Sequence, residues 1–492
     1  MSVGAFRRGR FAASLDARCC GSPTLVGMSS VAPEDPAAAA RGISRRTQSE
    51  IYRAGISGTR PAVPVDPIAL ERAARKASSA EAFAYIAGGA GSERTVAANR
   101  TAFERWQVWP RPLRDVSNRD LSIEFLGKRR ATPLLLAPLG VMELVNADAD
   151  LAVARAAASV GVPYVLSNQA SYPMEAVADA APAGTRLFQL YWSSSDELNA
   201  SLLRRAEASG CDAIVVTLDT HLLGWRTRDL DLAYLPFTRG LGIAQYTSDP
   251  VFHQLVRERT RGAGSVSRTS LSERGPAANT QDTTPPRAAE PNPPVKLTPK
   301  AVAAGIRIAR KGSAVTGSKS LRENLRSPLP RAAVETFLEV FSTPALTWDD
   351  LAKAREWTSL PIILKGIVHP DDATRALDAG VDAIWISNHG GRQIDQSVPT
   401  LAALPEVERR VGGRVPIVFD SGVRGGADVV IALALGATAV AIGRPYAYGL
   451  AIAGEDGVRE VVRNILAELD ITMGLAGVTS IDELDRGVLR EA

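Results

Sequence analysis

His389, in SNHGGRQ, is the one of the chain's four histidines placed at the polar end of an apolar run. An imidazole there can take a proton from a substrate carbon or hydroxyl. Asp219, which ends AIVVTLD, can hold the ring's tautomer and stabilise the imidazolium. Arg226 and Arg392 flank the same run ends, and two guanidinium forks suit bidentate pairing with a substrate carboxylate. Lys365, in PIILKG, reads two ways, as a Schiff-base nucleophile or as a cation facing a group that becomes anionic during turnover. Arg424, in SGVRGG, and Arg444, in IGRP, sit beside glycines after the last two runs, a setting that suits a phosphate-bearing ligand. Gln189, Tyr191, Thr217, Ser387, Asn388, Asp420, Ser421 and Gly443 complete a ring of polar run ends.

The elements that must position this ring are legible as eight short runs: LLLAP, PYVLS, RLFQLY, AIVVTLD, PIILKG, AIWISNHG, PIVFDSG and AVAIGRP. Each is continuously apolar before it turns polar, which marks a strand buried on both faces. Each is followed by an Ala-rich helical stretch, which implies parallel pairing through crossover helices. The expected fold is an α/β (β/α)8 TIM barrel with an N-terminal extension and a long insertion after strand 4. Its active-site face lies at the strand ends, and its ordered part runs to about 250 residues.

Residues 1–47 mix Arg, Ala, Ser and Pro without periodicity and are expected to be a disordered tail. Residues 48–130 are read as a helical lead-in, and 131–492 as the barrel. A Pro-rich loop insertion at about 253–343 interrupts it, containing GPAANTQDTTPPRAAEPNPPVKLTPK. Within the insertion AVAAGIRIARKG and RAAVETFLEVF can form short helices, and the segment reads as a loose surface loop, a lid over the active site or an oligomer contact. The 57 basic and 53 acidic residues leave a net charge of +4, too small for this length to indicate nucleic-acid binding. No apolar run approaches the ~18 residues of a membrane span. Three cysteines cannot make a disulfide framework or a zinc site, and the histidines show no metal-ligand spacing, so a cytoplasmic protein without metal is expected.

SNHGGRQ, LKGI, FDSGVRGGADVV, ALALGA and IGRP, with AYIAGGAGSERT and NRTAFERW upstream, resemble the FMN-dependent α-hydroxy acid dehydrogenases and oxidases. DTHLLGWRTRDLDLAYLPFTRGLGIAQYTSDPVF and IGRPYAYGLA are most similar to the lactate 2-monooxygenase branch of that family. The resemblance implies His389 as base with Asp219 as its partner. Tyr85, Tyr191, Arg226 and Arg392 are implied to hold the hydroxy acid. Pro138, Leu139, Gly140, Gln189, Thr217, Lys365 and Ser387 are implied at the ring and ribityl parts of FMN, with Lys365 facing negative charge near N1. Asn168 stands where a hydroxyl residue often contacts FMN, and Gly140 where many members have Ala. Asp420, Ser421, Gly422, Val423, Arg424, Gly443 and Arg444 are implied to complete the ribityl and phosphate contacts. A homo-oligomer, a tetramer or a multiple of it, is implied as well.

The implied activity is oxidation of an (S)-2-hydroxy acid such as L-lactate with O2. Caged products would give acetate, CO2 and water; an oxidase would release peroxide, and a dehydrogenase would use another acceptor. A Schiff-base aldolase acting through Lys365 is the reading from another class, and it leaves His389 and the arginine pair without a task.

Overall fold

The computed structural model describes residues 42–265 and 298–492. All eight apolar runs form strands: β1 (Leu134–Leu136), β2 (Tyr164–Ser167), β3 (Arg186–Tyr191), β4 (Ile214–Thr217), β5 (Ile362–Ile367), β6 (Ala383–Ile386), β7 (Ile417–Phe419) and β8 (Ala439–Ile442). They pair in parallel, each with its sequence neighbour, and β8 closes on β1, so the sheet is a barrel without edges. Both faces of the strands are covered: Leu134, Leu136, Phe188, Trp385 and Phe419 are completely buried. That double burial is the reason the runs are apolar throughout and do not alternate.

Local chemistry starts the helices that return the chain between strands. Ser195 caps Asp196–Ala208 by accepting from the Leu198 amide at 3.2 Å. His369 caps Pro370–Asp378 through Nδ1, which accepts from the Asp371 amide at 3.1 Å, while Asp371 and Asp372 complement the helix dipole. The last helix, Arg444–Ala476, begins at the end of β8 with Gly443 at its N-cap and no capping side chain.

The N-terminal boundary differs from the sequence expectation. A helix spans Ile43–Ile56, so residues 43–47, read as tail, are ordered. Ile43, Ser44 and Thr47 are buried on it, and the Ser44 amide donates to Asp470 Oδ2 at 3.2 Å, which ties the helix to the last helix of the barrel. Ile43 packs into the core and Glu50 pairs with Arg463 of the same last helix, so the order of this polar stretch comes from partners far away in sequence. The earlier part of the expected tail, with Cys19 and Cys20, lies outside the described residues. The lead-in is also not wholly helical: Trp106–Val108 pairs antiparallel with Leu489–Glu491, and Ile123–Phe125 pairs with Lys128–Arg130.

Both short helices expected in the insertion are present, within more helical structure than the sequence marks. Helices occupy Pro250–Ser265, Pro299–Lys311, Ser313–Thr316, Leu321–Arg326 and Leu329–Val340, and its Pro-rich centre lies outside the described residues. Phe337 is completely buried, with Tyr246 edge-on at 4.8 Å and Phe237 at 5.2 Å between ring centroids. The described parts of the 253–343 stretch are therefore packed structure and not a loose loop. The apolar face of Leu329–Val340 supplies the burial that the prolines cannot.

Candidate active site

The polar ends of the strands converge on one cavity. On its floor, β5 and β6 slip in register between Lys365 and Ile367, and Gly366 takes φ +106° at this bulge. The bulge brings Lys365 Nζ to 3.4 Å from Asp219 Oδ2, 2.9 Å from Ser387 Oγ and 3.8 Å from Asp420 Oδ2. The other Asp219 oxygen, Oδ1, lies 2.8 Å from His389 Nδ1 and accepts from Thr220 Oγ1 at 2.8 Å. A carboxylate only accepts, so Nδ1 carries the proton and Nε2 keeps the free lone pair. Burial works to raise the Asp219 pKa, but Lys365 and His389 outweigh it and hold the carboxyl far below its usual range. Burial lowers the His389 pKa below its ordinary 6.5 against the pull of Asp219, and Lys365 and Arg226 add to the lowering. The product is a neutral imidazole at pH 7 with a permanently ionised partner, which is the state a base requires.

His389 itself has φ +57°, and its loop is held by the N-terminal segment. Gly391, with φ +78°, sits where an added Cβ would lie 2.7 Å from the Val96 backbone nitrogen, so only glycine allows the two chains to touch. Asn388 and Asn99 exchange amide hydrogen bonds at 2.8 and 2.9 Å across the same contact.

Beside the base stand two buried cations. Arg226 donates to the Gln393 side chain at 2.9 Å and Arg392 to the Gly88 carbonyl at 2.9 Å. Among the described residues no carboxylate lies within 4 Å of either guanidinium. Burial, and then Arg226, push the Arg392 guanidinium down to about 9. The buried Asp229 carboxyl acts on both from farther away, raised in pKa by its burial and pulled down by Arg392 and Arg226, and two adjacent cations sharing one distant carboxyl still favour an anion between them. The Arg392 guanidinium lies over the Tyr85 ring at 5.1 Å, and burial raises the pKa of both Tyr85 and Tyr191, keeping their hydroxyls protonated.

Arg424 also lines the cavity, together with Gly443 and Arg444, the N-cap and first residue of the last helix. Burial pushes Arg424 down to about 10, and its polar contact is to its neighbour's carbonyl, Val423, at 3.0 Å. Arg444 is more committed, donating to the carbonyls of Ile86, Gly88 and Gly390. A helix N-terminus without a cap, beside two cations, is an anion site.

Residues 74–491 match the family of FMN-dependent dehydrogenases. The chain belongs to that family. An L-lactate oxidase of Lysinibacillus sphaericus is 37% identical over 447 residues, 90% of this chain and 96% of its own. A 4-hydroxymandelate oxidase of Amycolatopsis orientalis is 35% identical over 414 residues, 84% of this chain and 94% of its own. The solved structure of mandelate oxidase with (S)-4-hydroxymandelic acid aligns with a TM-score of 0.66 at 33% identity, over 87% of this chain and 99% of that one. The protein is an FMN-dependent 2-hydroxy acid oxidoreductase, and FMN is its cofactor.

The cavity of this FMN-dependent enzyme has the chemistry the cofactor needs. Gln189 Nε2 and Thr217 Oγ1 are buried at the strand ends with no hydrogen-bond partner among the described residues, which is costly unless a ligand supplies one. A Cβ on Gly443 would meet nothing closer than 3.7 Å, so the backbone there leaves open space. Pro138, Leu139, Gly140, Tyr85, Tyr191, Arg226, Lys365, His389, Arg392, Asp420, Ser421, Gly422, Val423, Arg424, Gly443 and Arg444 all line the cavity. Thr217, Gln189, Ser387 and Asn168 are buried just outside that lining. The Gln189 carbonyl oxygen accepts from Ser167 and from the Asn168 amide, which leaves only its nitrogen free.

Sequence reasoning missed several members of the wall. Thr220 bridges Asp219 and His389, and Gln393 orders Arg226 while donating to the Asp219 and Leu222 carbonyls. Both are immediate neighbours of assigned residues, which was the available signal. Gln169, which follows the assigned Asn168, lines the cavity too, as do Met142, Leu223, Phe237 and Phe341, which nothing in their local sequence marks. Among the described residues no helix is long and apolar enough to cross a membrane.

Proposed function

We propose that the protein oxidises a small (S)-2-hydroxy acid, L-lactate first among them, with O2 as electron acceptor, and that it decarboxylates the oxo acid before releasing it. The observation that carries the reading is the neutral His389, with Nε2 free, beside the cations Arg226 and Arg392, neither of which has a carboxylate within 4 Å. The guanidinium pair receives the substrate carboxylate, Tyr85 and Tyr191 orient it, and His389 Nε2 takes the α-proton or the hydroxyl proton. Asp219 then faces an imidazolium and stabilises it without itself becoming protonated. The chemistry that bound FMN would supply is that of a two-electron acceptor whose reduced form can react with O2. Pro138 to Gly140, Gln189, Thr217, Lys365 and Ser387 would hold its ring and ribityl parts, and Lys365 would face negative charge there. Asp420 to Arg424 with Gly443 and Arg444 would hold the ribityl and phosphate end, where the uncapped helix favours an anion.

Retention of the products is supported by the aromatic cover. Phe341 and Phe237 close the wall, 6.4 Å apart and nearly parallel, and Phe341 stacks on Phe337 of the insertion at 5.2 Å. Beneath such a cover pyruvate and hydrogen peroxide react to acetate, CO2 and water. The relative from Lysinibacillus sphaericus, an L-lactate oxidase, favours a second reading in which peroxide and pyruvate escape. The aldolase reading has lost its support, since Lys365 is held by Ser387, Asp219 and Asp420.

Anaerobic mixing of the FMN-loaded protein with L-lactate, followed by air, tests this. Bleaching of the flavin band and then acetate supports the reading. Bleaching followed by pyruvate and peroxide replaces it with the oxidase, and an unbleached band removes lactate as substrate.

A further inference from the structure

The loop after β1 is strained where it meets the cavity. Between Gly140 and Met142, which both line the cavity, Val141 takes φ +61°, a left-handed backbone that a β-branched residue adopts only when its surroundings impose it. Neighbouring segments impose it here. The Val141 amide donates to the Gln169 carbonyl at 2.9 Å, and the Glu143 amide donates to Ser171 Oγ at 3.1 Å. Ser171 is fixed in turn, its own amide donating at 2.7 Å to the completely buried Asp150. The remaining anchor is the Glu143 carboxylate. Its Oε1 accepts at 3.2 Å from the amide of Gly242, in the segment after β4, and its Oε2 pairs with Lys311 Nζ at the end of the insertion helix Pro299–Lys311. Gly242 lies directly against the strained residue, since a Cβ there would be 2.5 Å from Val141 Cγ2. The Glu143 side chain is only 16% exposed, so solvent screens its pairing with Lys311 less than a surface pair.

We propose that Glu143 is a positioning residue for the cofactor: paired with Lys311, it holds the strained loop in the shape that accepts FMN and so couples the insertion to FMN binding. A left-handed valine persists only while its anchors outweigh the strain, so losing the ion pair lets the loop relax away from that shape. The coupling is reciprocal. FMN bound against Pro138 to Gly140 fixes the loop and, through Glu143, steadies the helix Pro299–Lys311. This role rests on the reading above that places FMN in the cavity, and it gives the insertion a task besides the aromatic cover.

The test measures the FMN dissociation constant, from the fluorescence of free FMN, in the native protein, in Lys311→Met, in Glu143→Gln and in the double variant. Glu143→Gln keeps an acceptor for the Gly242 amide and loses only the charge. Each single variant should bind FMN about 10-fold more weakly, and the double variant no more weakly than either. Lys311→Arg, which keeps the cation, should stay close to native. Hydrogen exchange in the helix Pro299–Lys311 should slow as FMN is titrated into the native protein, and this slowing should be lost in Glu143→Gln and Lys311→Met. Single variants that bind FMN as tightly as the native protein, losses that add in the double variant, or a helix whose exchange ignores FMN overturn the role of Glu143. Arg424→Met separates this failure from that of the cavity reading. If it weakens FMN binding while the Glu143 and Lys311 variants do not, the coupling alone falls; if it too leaves FMN binding unchanged, the placement of FMN in the cavity falls with it.

Discussion

Gly366 lies so close to Asp219 that no side chain fits between them: an ideal Cβ at 366 would be 2.9 Å from both the backbone nitrogen and the Cβ of Asp219. The approach is what allows one carboxylate to serve Lys365 and His389 together. Gly366→Ala adds a clash to a φ of +106°. It should destabilise the protein by about 1–3 kcal/mol, and it should slow flavin reduction by displacing Asp219. Thermal unfolding and anaerobic stopped-flow absorbance check the two effects, and an unchanged reduction rate would separate this contact from catalysis.

Arg392→Met removes one of two adjacent guanidinium groups that have no carboxylate within 4 Å and share only the more distant Asp229. KM for L-lactate should rise by about 100-fold, as for one partner of a buried charge pair, with FMN still bound. Unchanged KM and kcat would rule out the arginine pair as the carboxylate site.

The acid limb of kcat/KM follows from His389. Burial sets its pKa below the ordinary 6.5, and the base works only unprotonated. Activity is therefore retained as pH falls to 6.5 and is lost below it, so the limb's apparent pKa should lie under 6.5. A limb above pH 7 in the free enzyme would contradict a desolvated base.

Phe341→Ala opens the wall that the insertion builds over the cavity. Acetate should fall and pyruvate with peroxide should rise, at a flavin reduction rate within a few-fold of native. Quantifying the three products after turnover in air decides it, and an unchanged product ratio would dissociate the cover from product retention.

The barrel was legible because parallel strands buried on both faces cannot hide their pattern, and PIILKG or AIWISNHG carry it without a break. The residues at those strand ends were legible for the same reason, since the fold dictates which end of each strand is wet. Packing that depends on distant partners was not. Ser44 is held by Asp470, more than four hundred residues away, and RAAVETFLEVF shows that a helix can form but not that its Phe337 packs on Tyr246 and Phe237. Gln169 and Phe341 become wall residues only once the barrel closes and the insertion folds back over it. Phe341 has no neighbour in sequence that announces the cavity, whereas Gln169 follows the assigned Asn168.

The central claim is that His389, neutral and oriented by Asp219, takes the substrate proton. Anaerobic reduction of bound FMN by L-lactate in His389→Gln tests it most directly. The account predicts a yellow protein with an unchanged FMN content and a reduction rate lower by about 10²–10⁴-fold. A yellow variant reduced at close to the native rate would contradict it.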